Sequence, residues 1–222
     1  MRLLAVWFIA ITFITGNMSA CAADKNNPYE GMYEVVAKPN KIFENKLEVT
    51  EIFLYTCPHC SDFEPIISKW VKERKPADVE FVKMPAPFNN SLIPITQAFF
   101  VAEQLNAVDK IHMPLFDAVQ KQRRKDFLVL REQQDSSQAQ HALKVFFKEH
   151  GISEEDFDNY YVSFEVDSKM RKATKLISDY EIKAVPTIVV NGKYRISSNV
   201  SRSKQFEVVE YLLEKERQAM AK

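Results

Sequence analysis

The chain has 222 residues, 46% of them hydrophobic, and only 4 glycines. This size and composition fit one globular unit, or one domain that carries a large insertion. The 30 basic and 30 acidic residues give a formal net charge of zero. The charge therefore favours neither nucleic acid as the main partner nor charge-driven binding to a membrane.

The first 20 residues have the composition of a secretory signal peptide. Arg2 precedes an apolar run over residues 3–14, and small residues follow before position 21. A run of this length is too short to span a bilayer comfortably as a permanent helix. The order basic, apolar, small is typical of a leader that is removed on export, so we exclude residues 1–20 from the predicted fold.

Two fates are predicted for Cys21. Met18-Ser19-Ala20-Cys21 resembles a bacterial lipobox, in which the cysteine becomes the lipidated first residue of the mature protein; the common form has leucine in place of Met18. In ordinary cleavage, after Ala23, Cys21 is discarded with the leader. Either route leaves Cys57 and Cys60 as the remaining thiols, in an exported and oxidising compartment.

The next part of the chain alternates between strand and helix patterns. Residues 21–45 predict an N-terminal arm with an edge strand around residues 33–37. An apolar, β-branched run predicts a central strand over residues 46–55, buried on both faces. A helix is predicted over residues 58–75 and a second strand over residues 79–84.

Between residues 89 and 181 the spacing of apolar residues changes to that of helices. We assign these apolar positions to a hydrophobic core and predict one long helix from an N-cap at Ser153 to Ile177. Strand patterns return on either side of Asn191-Gly192, a dipeptide typical of β-hairpins, and an amphipathic helix ends the chain.

The order of these elements predicts an α/β fold. Residues 46–88 and 182–222 would form one sheet-based domain. Residues 89–181 would form an all-helical insertion between the strand-helix-strand part and the C-terminal hairpin.

The chemistry concentrates in Thr56-Cys57-Pro58-His59-Cys60, where the central strand runs into the helix. Pro58 suits the first helical position, so Cys57 is predicted at the N-cap. A thiolate there would face free backbone N–H groups and the positive end of the helix dipole, and a protonated His59 would add a cation. These features lower a cysteine pKa. We predict a dithiol that cycles with a disulfide.

The predicted thiolate has a redox consequence. It exists only in the reduced protein, so a pKa further below the ambient pH favours the reduced form more strongly. The disulfide form then tends to oxidise other thiols.

A Cys-X-X-Cys pair is also half of a zinc site, which needs two further ligands. The remaining candidates form no second ligand pair; they are Cys21, His112, His141 and His150. No metal is therefore predicted, and the three histidines are assigned to the surface or to helix ends.

Cys57-Pro58-His59-Cys60, together with Val185-Pro186-Thr187 before a later strand, resembles the thioredoxin superfamily and, within it, the DsbA family of periplasmic thiol oxidases. Further segments agree in the same order: Phe63-Glu64, Thr96-Gln97-Ala98, Pro114-Leu115-Phe116, Val119-Gln120-Lys121 and Val190-Asn191-Gly192-Lys193-Tyr194. The resemblance runs from about Tyr29 to Leu213. It implies a thioredoxin-like fold with an inserted helical domain.

The resemblance also implies roles for the residues around the dithiol. Cys57 would be the exposed cysteine that forms the mixed disulfide with substrate, and Cys60 its buried partner. His59 would stabilise the Cys57 thiolate. Glu64 matches an acidic residue under the active site that would assist proton transfer to or from Cys60.

Two further segments are compared with the family. Pro186 would be a cis-proline beside the dithiol, and Val185 would offer backbone hydrogen bonds to an extended substrate. Many relatives carry a buried glutamate in a Glu-Lys-Pro segment, where this chain has Ala37-Lys38-Pro39. This chain therefore lacks, at Ala37, a glutamate that would take part in proton transfer to and from the dithiol in those relatives.

Three functions are therefore compared. A periplasmic thiol oxidase would donate the Cys57–Cys60 disulfide to reduced exported proteins and would be reoxidised by a DsbB-like, quinone-linked membrane protein. A disulfide isomerase or reductase would use the same dithiol, and a peptide-binding chaperone would not need it. We prefer the oxidase, without an organic cofactor, in the periplasm, with membrane attachment if Cys21 carries a lipid.

Overall fold

The computed structural model describes residues 27–129 and 136–221. The predicted leader and Cys21 lie outside the described residues. Within the described residues, no helix is both long and apolar enough to cross a membrane.

The elements follow the predicted order of strand, helix, strand, helical block, hairpin and helix. Their bounds are β1 Tyr33–Val35, β2 Leu47–Phe53, α1 Pro58–Glu73, β3 Val79–Pro85, α2 Ile93–Gln104, α3 Val108–Gln120, α4 Ser137–Glu149, α5 Glu154–Tyr161, α6 Phe164–Asp179, β4 Thr187–Val190, β5 Tyr194–Ile196 and α7 Arg202–Met220. A short 3₁₀ turn precedes α2.

The five strands form one sheet in the order β1-β5-β4-β2-β3. β2 and β3 are parallel neighbours, whereas β4 pairs antiparallel with β2 and with β5. All residues of β2 are buried, as predicted for a strand covered on both faces. The register places Glu51 of β2 beside Lys83 of β3, and neighbours in register project from the same face of a sheet.

Two apolar cores flank the sheet. One packs side chains of the sheet against α1 and α7 and includes Phe63, Trp70, Phe206 and Leu213. The other packs residues of β2, β3 and β4 and the dithiol against the helices of the insertion and includes Phe53, Tyr55, Cys60, Phe99 and Phe116. Most of the apolar positions of residues 89–181 that were assigned to a core from their spacing lie in this second core, but Val145 and Val162 are exposed.

The predicted long helix from Ser153 to Ile177 is wrong, because two helices occupy this stretch. Ser153 caps α5, as predicted, by accepting a hydrogen bond from Asp156 N. A second serine, Ser163, accepts from Val166 N and begins α6. A serine at an N-cap competes with a continuous helix because its side chain satisfies the free N–H groups of a new start.

The Asn-Gly hairpin is confirmed, and its backbone explains the two residues. Asn191 and Gly192 have φ of 51° and 60°, a left-handed conformation that glycine and asparagine tolerate best. A Cβ on Gly192 would lie 2.2 Å from the carbonyl oxygen of Asn40. Only glycine therefore fits at this position.

The C-terminal helix holds this hairpin through the buried carboxylate of Glu216. The carboxylate accepts hydrogen bonds from Asn191 Nδ2 at 2.6 Å, Lys193 Nζ at 2.8 Å and the Tyr194 hydroxyl at 2.8 Å. Burial would raise the pKa of Glu216, but these hydrogen bonds outweigh it and lower the pKa. The ionised carboxylate therefore fixes the hairpin to α7.

Replacing Glu216 with alanine should lower the free energy of unfolding by about 2 kcal/mol, because it leaves buried donors of the hairpin without an acceptor. Urea denaturation at neutral pH measures this loss. Glu207→Ala is the matched control on the same helix: Glu207 pairs with Lys204 in solvent, so its loss should change the free energy of unfolding far less than the loss of Glu216. Equal losses in the two variants would contradict the role of Glu216.

Candidate active site

The dithiol lies at the turn between β2 and α1. Cys57 is the N-cap of α1 with an extended backbone, and Pro58 is the first helical residue, as predicted. Cys57 is half-buried, whereas Cys60, on the first turn of the helix, is fully buried. Both side chains are free thiols. Solvent and substrate therefore reach only Cys57.

The two cysteines have opposite ionisation tendencies. A hydrogen bond from the Cys60 thiol lowers the pKa of Cys57 to about 6; burial opposes this, and the backbone N–H groups of Cys60 and His59 and the charge of His59 reinforce it. The same hydrogen bond, followed by burial, raises the pKa of Cys60. At neutral pH the reduced site therefore holds a Cys57 thiolate next to a Cys60 thiol.

The segment Val185-Pro186 lies against the dithiol. The peptide bond between these residues is cis, as the resemblance implied, and the Val185 carbonyl is 3.5 Å from the sulfur of Cys57. Beside it is a pocket of about 250 Å³ whose lining includes His59, Phe63, Pro186, Ile196, Val200 and Arg202. An extended chain bound at this segment would pass the exposed cysteine.

Glu64 lies one turn after Cys60 on α1 and is buried. Lys83 Nζ contacts its two oxygens at 2.6 and 2.7 Å, and the Ser68 hydroxyl donates at 2.8 Å. His112 Nε2 is 3.1 Å away. Burial would raise the pKa of Glu64, but His112 and Lys83 outweigh it and lower the pKa to about 2. Glu64 is therefore a fixed negative charge at neutral pH.

Comparisons with known proteins agree with this geometry. A thioredoxin family model matches residues 44–214. The thiol:disulfide interchange protein DsbA of Pseudomonas aeruginosa is 38% identical over 179 residues, which are 80% of this chain and 79% of the relative. That of Azotobacter vinelandii is 39% identical over 186 residues, 83% of this chain and 79% of the relative. The chain belongs to the DsbA family.

Solved structures of DsbA proteins confirm the predicted fold class. The crystal structure of Pseudomonas aeruginosa DsbA aligns with a TM-score of 0.75 at 35% identity and covers 86% of this chain and 95% of its own. The oxidoreductase DsbA from Xylella fastidiosa aligns with a TM-score of 0.71 at 27% identity, over 84% and 95% of the two chains. The chain is a protein thiol:disulfide oxidoreductase with a thioredoxin fold and an inserted helical domain.

A second buried acid of this DsbA-family site was missed from the sequence. Glu51 is fully buried on β2, and its Oε2 is 3.0 Å from Lys83 Nζ. Burial and the nearby charge of Glu64 raise the pKa of Glu51 to about 7, although Lys83 opposes this. The charge of Glu51 in turn helps to raise the pKa of Cys60. The site therefore has two buried acids, Glu64 and Glu51, although this chain has Ala37 where many relatives have a buried glutamate. Glu51, on the strand before the dithiol, is the second acid.

His112 corrects another expectation, since it is buried rather than at the surface. Its Nε2 lies near Glu64, at an angle poor for a hydrogen bond. Burial lowers the pKa of His112 in spite of Glu64. His141 is exposed and His150 ends α4, as predicted for both.

The helical insertion also contacts Tyr55, which lies two residues before Cys57. Its hydroxyl is 2.9 Å from Nδ1 of His112, and its carbonyl oxygen accepts from Gln120 Nε2 at 2.6 Å. Both partners lie on α3. The aromatic run before the dithiol predicted a strand but gave no sign of these two contacts.

The hydrogen bond between the cysteines predicts a difference between two variants of Cys60. In reduced Cys60→Ala the thiolate of Cys57 loses its first donor, so its pKa should rise by about one unit or more. Cys60→Ser keeps a hydroxyl donor and should show a smaller rise. The ultraviolet absorbance of the thiolate during a pH titration measures both. Identical titrations would contradict this origin of the low pKa.

The raised pKa of Glu51 predicts a pH dependence of stability. Glu51 has a folded pKa of about 7 against an ordinary 4.5, so it favours the folded state below pH 4.5, and this contribution is lost as pH rises through about 7. Relative to Glu51→Gln, the wild type should lose on the order of 3 kcal/mol of unfolding free energy across this window. Urea denaturation at a series of pH values measures the difference.

Glu80→Gln is the matched control for Glu51→Gln. Glu80 is a glutamate of the neighbouring strand β3, where it is in register with Glu48, and its partly exposed carboxylate pairs with Lys46. The hydrogen bond from Lys46 lowers the pKa of Glu80, so Glu80 does not titrate above pH 4.5 and the Glu80→Gln profile there should run parallel to that of the wild type. If Glu51→Gln also runs parallel to the wild type, Glu51 is not the titrating group.

Proposed function

We propose that this chain is a periplasmic thiol oxidase that donates the Cys57–Cys60 disulfide to reduced exported proteins. The observation that supports it most directly is the half-buried Cys57, with a pKa of about 6, beside a buried Cys60 with a raised pKa. At pH 7 a thiol with such a pKa is roughly 90% ionised. The reduced site is therefore stabilised relative to the disulfide, which makes the disulfide an oxidant.

The reaction proceeds in two exchanges. A substrate thiolate attacks Cys57 Sγ, the Cys57–Cys60 bond breaks, and Cys60 leaves with the electron pair and takes up a proton. A second substrate thiolate then attacks the substrate sulfur of the mixed disulfide and releases Cys57 as a thiolate. The substrate loses two electrons and two thiol protons, of which Cys60 keeps one and solvent receives the other.

The low pKa of Cys57 helps the second exchange, because a thiol of low pKa leaves faster. Cys60, which is buried, is shielded from direct attack by substrate. The cis Val185-Pro186 segment contacts Cys57 and lines the pocket beside the dithiol, and it would hold the substrate in an extended conformation.

We assign the proton of the first exchange to Glu51. Its pKa of about 7 lets it hold a proton at neutral pH, whereas Glu64, with a pKa of about 2, stays ionised. Glu64 would then act by holding Lys83 between the two acids. This assignment moves the proton-carrying role expected for Glu64 to its neighbour.

The remaining parts of the proposal follow from the family and from the N-terminal sequence. A DsbB-like, quinone-linked membrane protein would reoxidise the dithiol, and no organic cofactor would be needed. Residues 1–20 would direct export to the periplasm. A lipid on Cys21 would attach the domain to a membrane surface.

Equilibration of the exported protein with graded glutathione buffers tests the oxidase function. We expect a reduction potential above about −200 mV, more oxidising than the glutathione pool, because the Cys57 thiolate stabilises the reduced form. We also expect oxidation of a reduced, unfolded protein with one disulfide transferred per molecule, and none by Cys57→Ser. A potential near the thioredoxin value of about −270 mV would instead indicate a reductase.

Two further outcomes would favour the alternatives. Efficient reactivation of scrambled ribonuclease, without net oxidation, would indicate an isomerase. Suppression of aggregation by a variant with both cysteines changed to serine, together with no disulfide transfer by the wild type, would indicate a chaperone.

A further inference from the structure

The pocket beside the dithiol has an apolar floor and one cationic residue at its rim. Phe63, Ile196 and Val200 are buried side chains that line it. Arg202, the first residue of α7, also lines it and is half-buried. Its nearest polar contact is a long one, from Nη2 to the His59 carbonyl oxygen at 3.4 Å. The guanidinium therefore lies close to the dithiol loop.

Arg202 differs from the other arginines of the described chain. Five of them form ion pairs with a carboxylate: Arg74 with Glu210, Arg124 with Asp126, Arg171 with Asp167, Arg195 with Glu34, and Arg217 with Asp78. Arg123 has no ion pair with described residues but is exposed on a turn. Arg202 is thus a half-buried arginine that forms no ion pair with any carboxylate of residues 27–129 and 136–221.

An unneutralised, half-buried guanidinium has an energetic consequence. Its positive charge is partly shielded from solvent, so an anion that reaches it gains more than it would at a fully exposed site. A guanidinium also presents donors in a planar fork that matches a carboxylate. The carbonyl of His59 occupies this fork only weakly.

We propose that Arg202 is a specificity-determining residue that favours substrate segments carrying an acidic residue near the reacting cysteine, with an apolar side chain in the adjoining pocket. The occupant is an extended segment of a reduced substrate protein whose cysteine reaches Cys57. The floor of the pocket takes the apolar side chain and Arg202 pairs with the carboxylate. This inference rests on the proposed oxidase function and adds the class of substrate to it.

Matched peptides test the inference. Each contains one pair of cysteines and an apolar neighbour and differs only in one residue, Glu, Gln or Lys, which is scanned over the positions flanking the reacting cysteine. The second-order rate of peptide oxidation by the oxidised protein is measured for each peptide. At the best position we expect Glu to exceed Lys by about five-fold, as for a partly exposed ion pair, and high salt should reduce the ratio.

Variants of Arg202 separate its charge from a structural role. Arg202→Gln should remove the preference between the Glu and Lys peptides, so that both are oxidised at about the rate of the Gln peptide. Arg202→Glu should reverse the preference, and Arg202→Lys should retain it. Arg123→Gln, which removes the exposed unpaired arginine, should behave as the wild type. The pH titration of Cys57 in each variant reports whether the dithiol itself has changed.

The outcomes are distinct from those of the oxidase test. If no peptide is oxidised, the proposed function fails. If all peptides are oxidised at equal rates, or if the preference for Glu survives in Arg202→Gln, the role of Arg202 is overturned while the oxidase function stands. A variant with a lowered rate for all three peptides alike would also overturn it, because that pattern indicates damage to the dithiol.

Discussion

The region beneath the dithiol depends on one ammonium group, that of Lys83, which lies between the buried carboxylates of Glu51 and Glu64. Two buried negative charges without a cation would repel each other, and both would have lost their hydration. Lys83 can serve both because the sheet register puts it beside Glu51, while α1 crosses above with Glu64. The same contact joins the sheet to the helix that carries the cysteines. Folding and acid-base chemistry therefore depend on the same group.

The asymmetry of the two cysteines follows from where α1 begins. A helix that starts immediately after the first cysteine leaves that residue at the N-cap, where its sulfur faces free donors. The second cysteine then falls one turn later on the side that packs against the insertion. One thiol is accessible and ionised, and the other is buried and protonated. Two neighbouring residues of the same type thus have different chemistry because of burial and backbone geometry.

Local patterns in the sequence predicted the element order, the N-cap position of Cys57, the hairpin at Asn191-Gly192 and the helical insertion. The long helix was wrong because its apolar spacing continues past Ser163, which starts a new helix. The buried acid Glu51 could have been predicted from the sequence, because it is a charged residue inside a strand predicted to be buried on both faces. The pairing of Glu51 with Lys83 could not be predicted, because the register between β2 and β3, which α1 separates in the sequence, depends on the tertiary structure. The burial of His112 also arises only when the insertion packs against the sheet.

Helix α3 contacts Tyr55 twice, at its hydroxyl and at its carbonyl oxygen. These contacts have a consequence for any smaller protein made by deleting the insertion. A minimal scaffold made by deleting the insertion would remove both partners at once and leave a phenol and a carbonyl exposed two residues before the reactive cysteine. The backbone between Tyr55 and Cys57 could then adopt other conformations. The insertion is therefore part of the frame that orients the reactive sulfur, and a transplanted dithiol motif would not carry that frame with it.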